Sequence, residues 1–435
     1  MKHMNKSIIG RAMRRGSFGM KVAMAAGMLA VALGAHAQKY VGGDISLLPT
    51  YEEHGTHYLG RGGNDAQVQP LEYWGDSARW NAMRVRLFVN PANAGSDAQG
   101  EGVRQDLDYV AKLGKRIKDD NYAFMLDFHY SDTWTDPSHH STPLQWASTD
   151  PDVLADSVYT YTKRSLEYLK SIGATPDFIQ PGNEITYGML WPTGRCYPSG
   201  ANYGTGTFAN FVKYLKAGIR ACKEVCPQAK IVLHTEMSRA DNVTSFYNTI
   251  GSQVDYDIIG LSYYPDFHGK LSVLSSVLTT LEQQHADKDI MIVETGYESQ
   301  WQLPGASHTA TEVGLPLSEE GQKKFTDDLI DELNKHSKVT GLFWWAPEDN
   351  EFWSDKNPAR SSWWNASLYT QNTGKPLAAM FELQRFLGSN PTGIQSVTTT
   401  KRTAANEWYT LSGQRVNKPT AKGVYINNGK AVVVK

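Results

Sequence analysis

Eight short apolar runs, separated by amphipathic stretches, occupy most of this 435-residue chain. The runs are residues 42–47, 82–88, 123–128, 178–181, 231–234, 258–263, 290–293 and 341–345. The stretches between them, such as 103–117, 153–170, 208–222, 272–284, 319–334 and 376–386, repeat their apolar residues at helical spacing. Near-continuous apolar strands interleaved with helices predict parallel strands covered on both faces. Eight such units over roughly 350 residues fit an α/β fold, a (β/α)8 TIM barrel with insertions. A doubly wound sheet is the alternative, but it would gather its chemistry at one switch point rather than at successive strand ends.

The ends of the chain read differently. Lys2, Lys6, Arg11, Arg14, Arg15 and Lys21 precede an apolar run over 22–34, and Ala35-His36-Ala37 offers a cleavage site before Gln38. Residues 1–37 are therefore expected to be an export leader, and the run is too short to span a bilayer as a helix. Residues 38–388 would form the barrel. Residues 389–400 are small, polar and breaker-rich, which predicts a linker. Residues 401–435 hold short β segments with Asn428-Gly429 as a hairpin signal, a β-rich tail too small for a core of its own.

A formal net charge of −2 leaves no electrostatic footprint for nucleic acid. Cys196, Cys222 and Cys226 are an odd set with no disulfide framework, and are expected as buried or partly buried free thiols. Aromatic residues are abundant, with 12 Trp, 22 Tyr and 14 Phe, and several tryptophans stand outside apolar runs: Trp134, Trp191, Trp301, Trp353, Trp363 and Trp364. Core filling would explain most tryptophans. A flat, rigid ring in a polar loop also suits stacking on the apolar face of a sugar.

The strand ends carry the chemistry. Two runs stop on a glutamate, Gln180-Pro181-Gly182-Asn183-Glu184 and Ile292-Val293-Glu294. Carboxylates at the C-terminal ends of barrel strands lie where such folds keep their active sites. Two that face one space are the minimum machinery of glycoside hydrolysis. Either glutamate alone could simply cap a strand or pair with an arginine. Around them stand Arg84 and Arg86 on one strand face, Asp127 and His129 on another, Asn183 (an amide suited to a sugar hydroxyl), His234, Tyr264, and Trp344-Trp345. A lone His234 is more often structural than functional, and one of the two adjacent tryptophans should face the helices. Metal binding competes for Asp127, His129 and the glutamates, but no close-spaced ligand motif appears. A serine hydrolase is poorly supported, because no G-x-S-x-G elbow occurs.

The segments Asp127–Trp134 with Asp136-Pro137, Gly182-Asn183-Glu184-Ile185 and Leu190–Gly194 resemble glycoside hydrolase family 53, the β-1,4-galactanases. Arg84-Val85-Arg86 with Asn90-Pro91, Ser262–Pro265, Val293-Glu294-Thr295 and Gly341–Trp345 extend the likeness over residues 40–388. The resemblance implies a retaining barrel hydrolase with Glu184 as acid/base and Glu294 as nucleophile. It further implies that Arg84 binds the nucleophile, that Tyr264 and His234 are active-site residues, that Trp345 lies beneath the reacting sugar, and that Trp134 and Trp191 line the cleft. An arginine beside Glu294 is expected to lower its pKa, while Glu184 needs a raised one. The expected substrate is pectic β-1,4-galactan, handled by an exported monomer without cofactor. Some bacterial relatives hold calcium in the loop after strand seven. The corresponding residues 298–316 contain no Asp and only His308, so no metal is expected. The strand-eight loop, with Glu348-Asp349-Asn350-Glu351 and Trp353, departs from the pattern and leaves endo or exo action open. The tail resembles a shortened sorting segment of exported Bacteroidetes proteins.

Overall fold

A computed structural model describes residues 37–62, 66–196, 206–237, 240–350, 363–371 and 373–388, together with 408–410, 415–416, 422–427 and 430–434. The leader through residue 36, the linker, Glu351 and Trp353 lie outside the described residues. Strands β1 (Tyr40–Asp44), β2 (Ala82–Leu87), β3 (Ala123–Phe128), β4 (Phe178–Pro181), β5 (Lys230–Glu236), β6 (Ile258–Tyr263), β7 (Asp289–Thr295) and β8 (Val339–Trp345) close in sequence order into one parallel barrel. Helices α1 (Pro70–Ala78), α2 (Leu107–Asp119), α3 (Pro151–Ser171), α4 (Phe208–Val225), α5 (Ala240–Ile250), α6 (Leu271–Gln284), α7 (Glu319–Leu333) and α8 (Ala378–Glu382) follow the strands in turn. The eight expected strands are all present, β3, β4 and β6 with the expected bounds and the other five with shifted ends.

Local chemistry sets those ends. β1 stops at Asp44 rather than running to 47, because the Asp44 carboxylate accepts from Ser46 N and Oγ and turns the chain into a short helix, Leu48–Glu53, with Pro49 in its first turn. Four of these helices start on a side-chain cap. Asp106 accepts from Tyr109 N, Asp150 from Asp152 N ahead of Pro151, Thr207 from Asn210 N and Ser318 from Gly321 N. Each such cap is worth about 1 kcal/mol.

The barrel interior has two layers. Ala82, Met125, Phe178, Val232, Ile258, Met291, Val293 and Phe343 form an apolar plug packed apart from the main helix–sheet core. Two residues further along several strands, on the same inward face, the line turns polar at Arg84, Asp127, Gln180 and His234. Strand seven departs from this alternation. Leu261 pairs with Ile292 but Ser262 pairs with Glu294, so the ladder skips Val293. That bulge turns Glu294 inward, where strict alternation would have sent it toward the helices.

Residues 389–435 form a second compact unit with a four-stranded sheet. Its strands are β9 (Trp408–Thr410), β10 (Arg415–Val416), β11 (Gly423–Asn427) and β12 (Lys430–Val434), in the order β10-β9-β11-β12. β11 and β12 pair antiparallel with Asn427 opposite Lys430; the expected turn residues between them, Asn428-Gly429, lie outside the described residues. Cys196, Cys222 and Cys226 are buried free thiols.

Candidate active site

Arg84 is the centre of the strand-end constellation. It is wholly buried, and its Nη1 lies 2.7 Å from Asp44 Oδ2. Its Nη2 lies 2.7 Å from Asp127 Oδ2, 2.8 Å from Glu294 Oε1 and 2.9 Å from Asn183 Oδ1. Gln180 Nε2 donates to Asp127 Oδ1 at 2.7 Å. His129 Nε2 is 3.0 Å from Asp127 Oδ2, while its Nδ1 accepts from Thr135 N, which leaves the proton of a neutral ring on Nε2. Burial opposes the charge of Asp127, yet Arg84 and His129 hold its carboxyl below the ordinary range.

Glu184 sits opposite. Its backbone adopts φ 47° and ψ 48°, a left-handed conformation costly for a residue with a Cβ, by about 1–3 kcal/mol. Gly182 before it has φ 107°, so the chain turns sharply off β4. The turn is held by Glu184 N donating to His234 Nδ1 at 3.3 Å and by His140 Nε2 at 3.3 Å from Glu184 O. Burial, with Arg84 nearby, keeps His234 neutral, and its Nε2 lies 2.7 Å from Ser262 Oγ.

The two acids are close enough to titrate as a unit. One carboxylate oxygen of Glu184, one of Glu294 and a ring nitrogen of His234 lie within 4.8 Å of one another. Burial and the neighbouring Glu294 hold Glu184 well above the carboxylate range. Burial also pushes Glu294 up, to about 7, against the pull of Arg84 and with Asp127 and Asp44 pushing the same way. The expected downward pull of the arginine on Glu294 is present, but enclosure and two further carboxylates outweigh it. The guanidinium still decides the pair: it contacts Glu294 and not Glu184, so a shared proton resides on Glu184. The same guanidinium makes this trio a poor cation site, since any ion there would face Arg84 across Glu294. Tyr264 OH donates to Glu294 Oε2 at 3.1 Å.

Several residues expected around the two glutamates are enclosed. Asp127, His129 and His234 are 0%, 2% and 0% exposed, and their polar atoms are spent on Arg84, Thr135, Gln180 and Ser262. Asn183 already gives its Oδ1 to Arg84 and its Nδ2 to Thr135 O. Trp344 faces the helices, with Nε1 donating to Ala366 O and Phe325 against its ring. Trp345 faces the site, half-buried, with the Arg86 guanidinium 4.4 Å from its ring centroid. Trp134 is half-buried. Trp191 is braced, with Arg195 4.0 Å over its ring, His140 at 5.4 Å and Nε1 donating to Tyr187 O. An aromatic run leads outward from Glu294: Tyr264, then Trp363 at 4.8 Å, with the neighbouring Trp364 edge-on to Trp301 at 4.5 Å.

Asp44, Gln180, Ser262 and Glu236 were not anticipated. Cutting strand five at His234 hid Glu236, although alternation would have placed it on the same face. Two more acids, Asp266 and Glu298, are buried together at the base of the loop after β7. Burial and the Asp266 charge push Glu298 up to about 8. Gln302 Nε2 donates to Asp266 Oδ1 and to His308 O, so an N–H rather than an oxygen faces this pair, which suits a shared proton better than a calcium ion.

Residues 40–383 match the family described as Glycosyl hydrolase family 53. An arabinogalactan endo-β-1,4-galactanase of Thermothelomyces thermophilus is 30% identical over 80% of this chain and the whole of its own. An uncharacterised protein of Niallia circulans, encoded in the bgaB 5′ region, is 34% identical over 76% of this chain and 89% of its own. Among solved structures, the Ignisphaera aggregans GH53 catalytic domain superposes with TM-score 0.68 at 28% identity, over 82% of this chain and 97% of that one. A fungal β-1,4-galactanase superposes with TM-score 0.67, again at 28% identity, over 80% of this chain and all of the other.

Proposed function

Because the chain belongs to glycosyl hydrolase family 53, we propose that it hydrolyses β-1,4-galactosidic bonds in galactan and type I arabinogalactan, with retention at the anomeric carbon. The observation that carries this reading is the pair Glu184 and Glu294, with oxygens within 4.8 Å and Arg84 on one member alone. Retaining enzymes hold their carboxyls about 5–5.5 Å apart, and inverting ones about 6.5–9.5 Å. In the first step Glu294 attacks C1 while Glu184 passes its proton to the departing glycosidic oxygen. The C1–O bond breaks and a galactosyl ester forms on Glu294. In the second step the Glu184 carboxylate takes a proton from water, the water oxygen attacks C1, and Glu294 leaves as a carboxylate held by Arg84 and Tyr264.

The other residues divide into contacts and supports. Trp345 is the platform beneath the reacting sugar, with Trp134 in the cleft and the run Tyr264–Trp363 on the side of β6 and β7. Asp127, His129, Asn183 and His234 act mainly by fixing Arg84 and the Glu184 turn. Trp191 forms the wall of its loop. Export through residues 1–37 and a dispensable tail belong to the same proposal. Among the described residues no helix is long and apolar enough to cross a membrane.

Reducing-sugar release from galactan, mannan, xylan and glucan tests the substrate. Release from galactan well above the rest is expected, and no release from galactan overturns the reading. Proton NMR of the first product tests the stereochemistry: the β-anomer is expected, and an initial α-anomer refutes retention.

A further inference from the structure

We infer that Asp44 is a positioning residue that joins the nucleophile and the sugar platform to one anchor. The inference rests on the roles proposed above for Glu294 and Trp345. β1 lies between β2 and β8 in the closed barrel, and Asp44 is in register with Arg84 on one side and with Trp345 on the other. Its side chain is wholly buried.

Both carboxylate oxygens are occupied. Oδ2 accepts from Arg84 Nη1 at 2.7 Å, and Oδ1 forms a looser ion pair with Arg86 Nε at 3.4 Å, without a hydrogen bond. Oδ1 also accepts from Ser46 Oγ at 2.6 Å and from Ser46 N at 3.2 Å, which prevents the carboxylate from turning. Each arginine then passes the constraint on. Arg84 is a planar fork, so holding Nη1 fixes the direction in which Nη2 meets Glu294 at 2.8 Å. Arg86 lies 4.4 Å from the Trp345 ring centroid, a cation–π contact that sets the tilt of the ring.

Charge balance alone does not call for this arrangement. Asp127 already pairs with Arg84 at 2.7 Å, and placing a second buried carboxylate on the same guanidinium carries a desolvation cost. Orientation explains it. The attacking oxygen and the ring under the sugar must keep a fixed relation, because a misplacement near 1 Å can lower the rate by about 100-fold. A shared anchor supplies that relation through two contacts from one residue.

Asp44→Asn keeps the shape and removes the charge. The groups facing Glu294 are Arg84 and Arg86 from β2, Asp44 from β1, Asp127 from β3, Glu184 after β4, His234 from β5 and Tyr264 after β6. Loss of the Asp44 charge makes protonation of Glu294 harder, so the acidic limb of kcat/KM should move to lower pH. We expect kcat on galactan to fall on the order of 10–100-fold. In a cycle with Trp345→Ala, the double variant should be about as slow as the slower single variant. Wild-type kcat with an unmoved acidic limb, whatever happens to Tm, overturns the inference. If Asp44→Asn does not fold, Ser46→Ala removes the 2.6 Å hydroxyl bond to Oδ1 while leaving the backbone N–H bond, the Arg86 contact and the charge. A several-fold fall in kcat with the limb in place is then expected, and unchanged kinetics overturn the inference. Labelling wild-type enzyme with a 2-deoxy-2-fluoro-galactobiosyl fluoride separates this from the underlying assignment. A label elsewhere than Glu294 removes the assignment itself, whereas a label on Glu294 beside wild-type behaviour of Asp44→Asn sinks only the coupling.

Discussion

The barrel mouth has two halves that treat acids in opposite ways. On the side of β1–β3, Asp44 and Asp127 meet guanidinium groups, and Asp127 is held below its ordinary pKa. On the side of β4–β7, acids meet one another and neutral histidines. Glu184 faces Glu294, Asp266 faces Glu298, and Glu236 lies 3.8 Å from His268, whose ring burial pushes down to about 3. One half keeps its acid charged, and the other favours neutral groups. A double displacement needs both at once, and Glu294 stands at the boundary with Arg84 on one side and Glu184 on the other.

The sharpest way to break this contrast is to remove its two poles. Glu294→Ala should lower kcat on the order of 10⁴-fold or more. Azide should restore part of the turnover on an activated aryl galactoside and yield a product of inverted configuration. Glu184→Ala should cost about 10²–10⁴-fold on galactan, but far less on aryl galactosides whose leaving groups need no proton. Equal losses on both substrates would show that the proton does not reside on Glu184.

A smaller effect sharpens the division between contacts and supports. Trp134→Ala should weaken binding and slow turnover by about tenfold, equivalent to about 1.4 kcal/mol of transition-state stabilisation, with little change in Tm. Trp191→Ala should instead lower stability by about 1–3 kcal/mol, below the 3–5 of a fully buried ring, with milder kinetic loss, because Arg195, His140 and Tyr187 lose their partner. Thermal melts beside galactan kinetics decide the matter, and a reversed pattern would exchange the two roles.

The smallest expected effect probes, away from catalysis, the half that favours neutral groups. The folded-state pKa of Glu298, about 8, lies above its unfolded value near 4.5. The folded chain then binds a proton that the unfolded chain has lost, so this group's contribution falls as pH rises between those values and levels off above about 8. Glu298→Gln should flatten Tm against pH between about pH 5 and 8. A slope identical to wild type would mean that the pair holds no proton.

Much of this was legible in the chain. Apolar runs at strand length and amphipathic stretches at helical spacing are local properties, and they carried the eight-unit barrel and both glutamates. The miss at β1 arose because Asp44 looked like the middle of an apolar run; the turn it makes with Ser46 shows only in the hydrogen bonds. Gln180 read as strand filler, since its partner Asp127 comes from the adjacent strand, 53 residues earlier. Asp127, His129 and His234 were placed at the right strand ends, but their enclosure was not legible, because exposure depends on what other strands bring over them.

The amino-acid sequence by itself determined the alternation of elements, the polar turn of the inward-facing line beyond the apolar plug, and the presence of two strand-end carboxyls, since each follows from residue type and spacing along one segment. Only the tertiary structure decided which carboxyl holds the proton. The bulge that turns Glu294 inward, the guanidinium from β2 that reaches it, and the left-handed turn that carries Glu184 opposite all depend on strands distant in the chain. Electrostatic preference is set by distance and enclosure, and neither exists until the barrel closes.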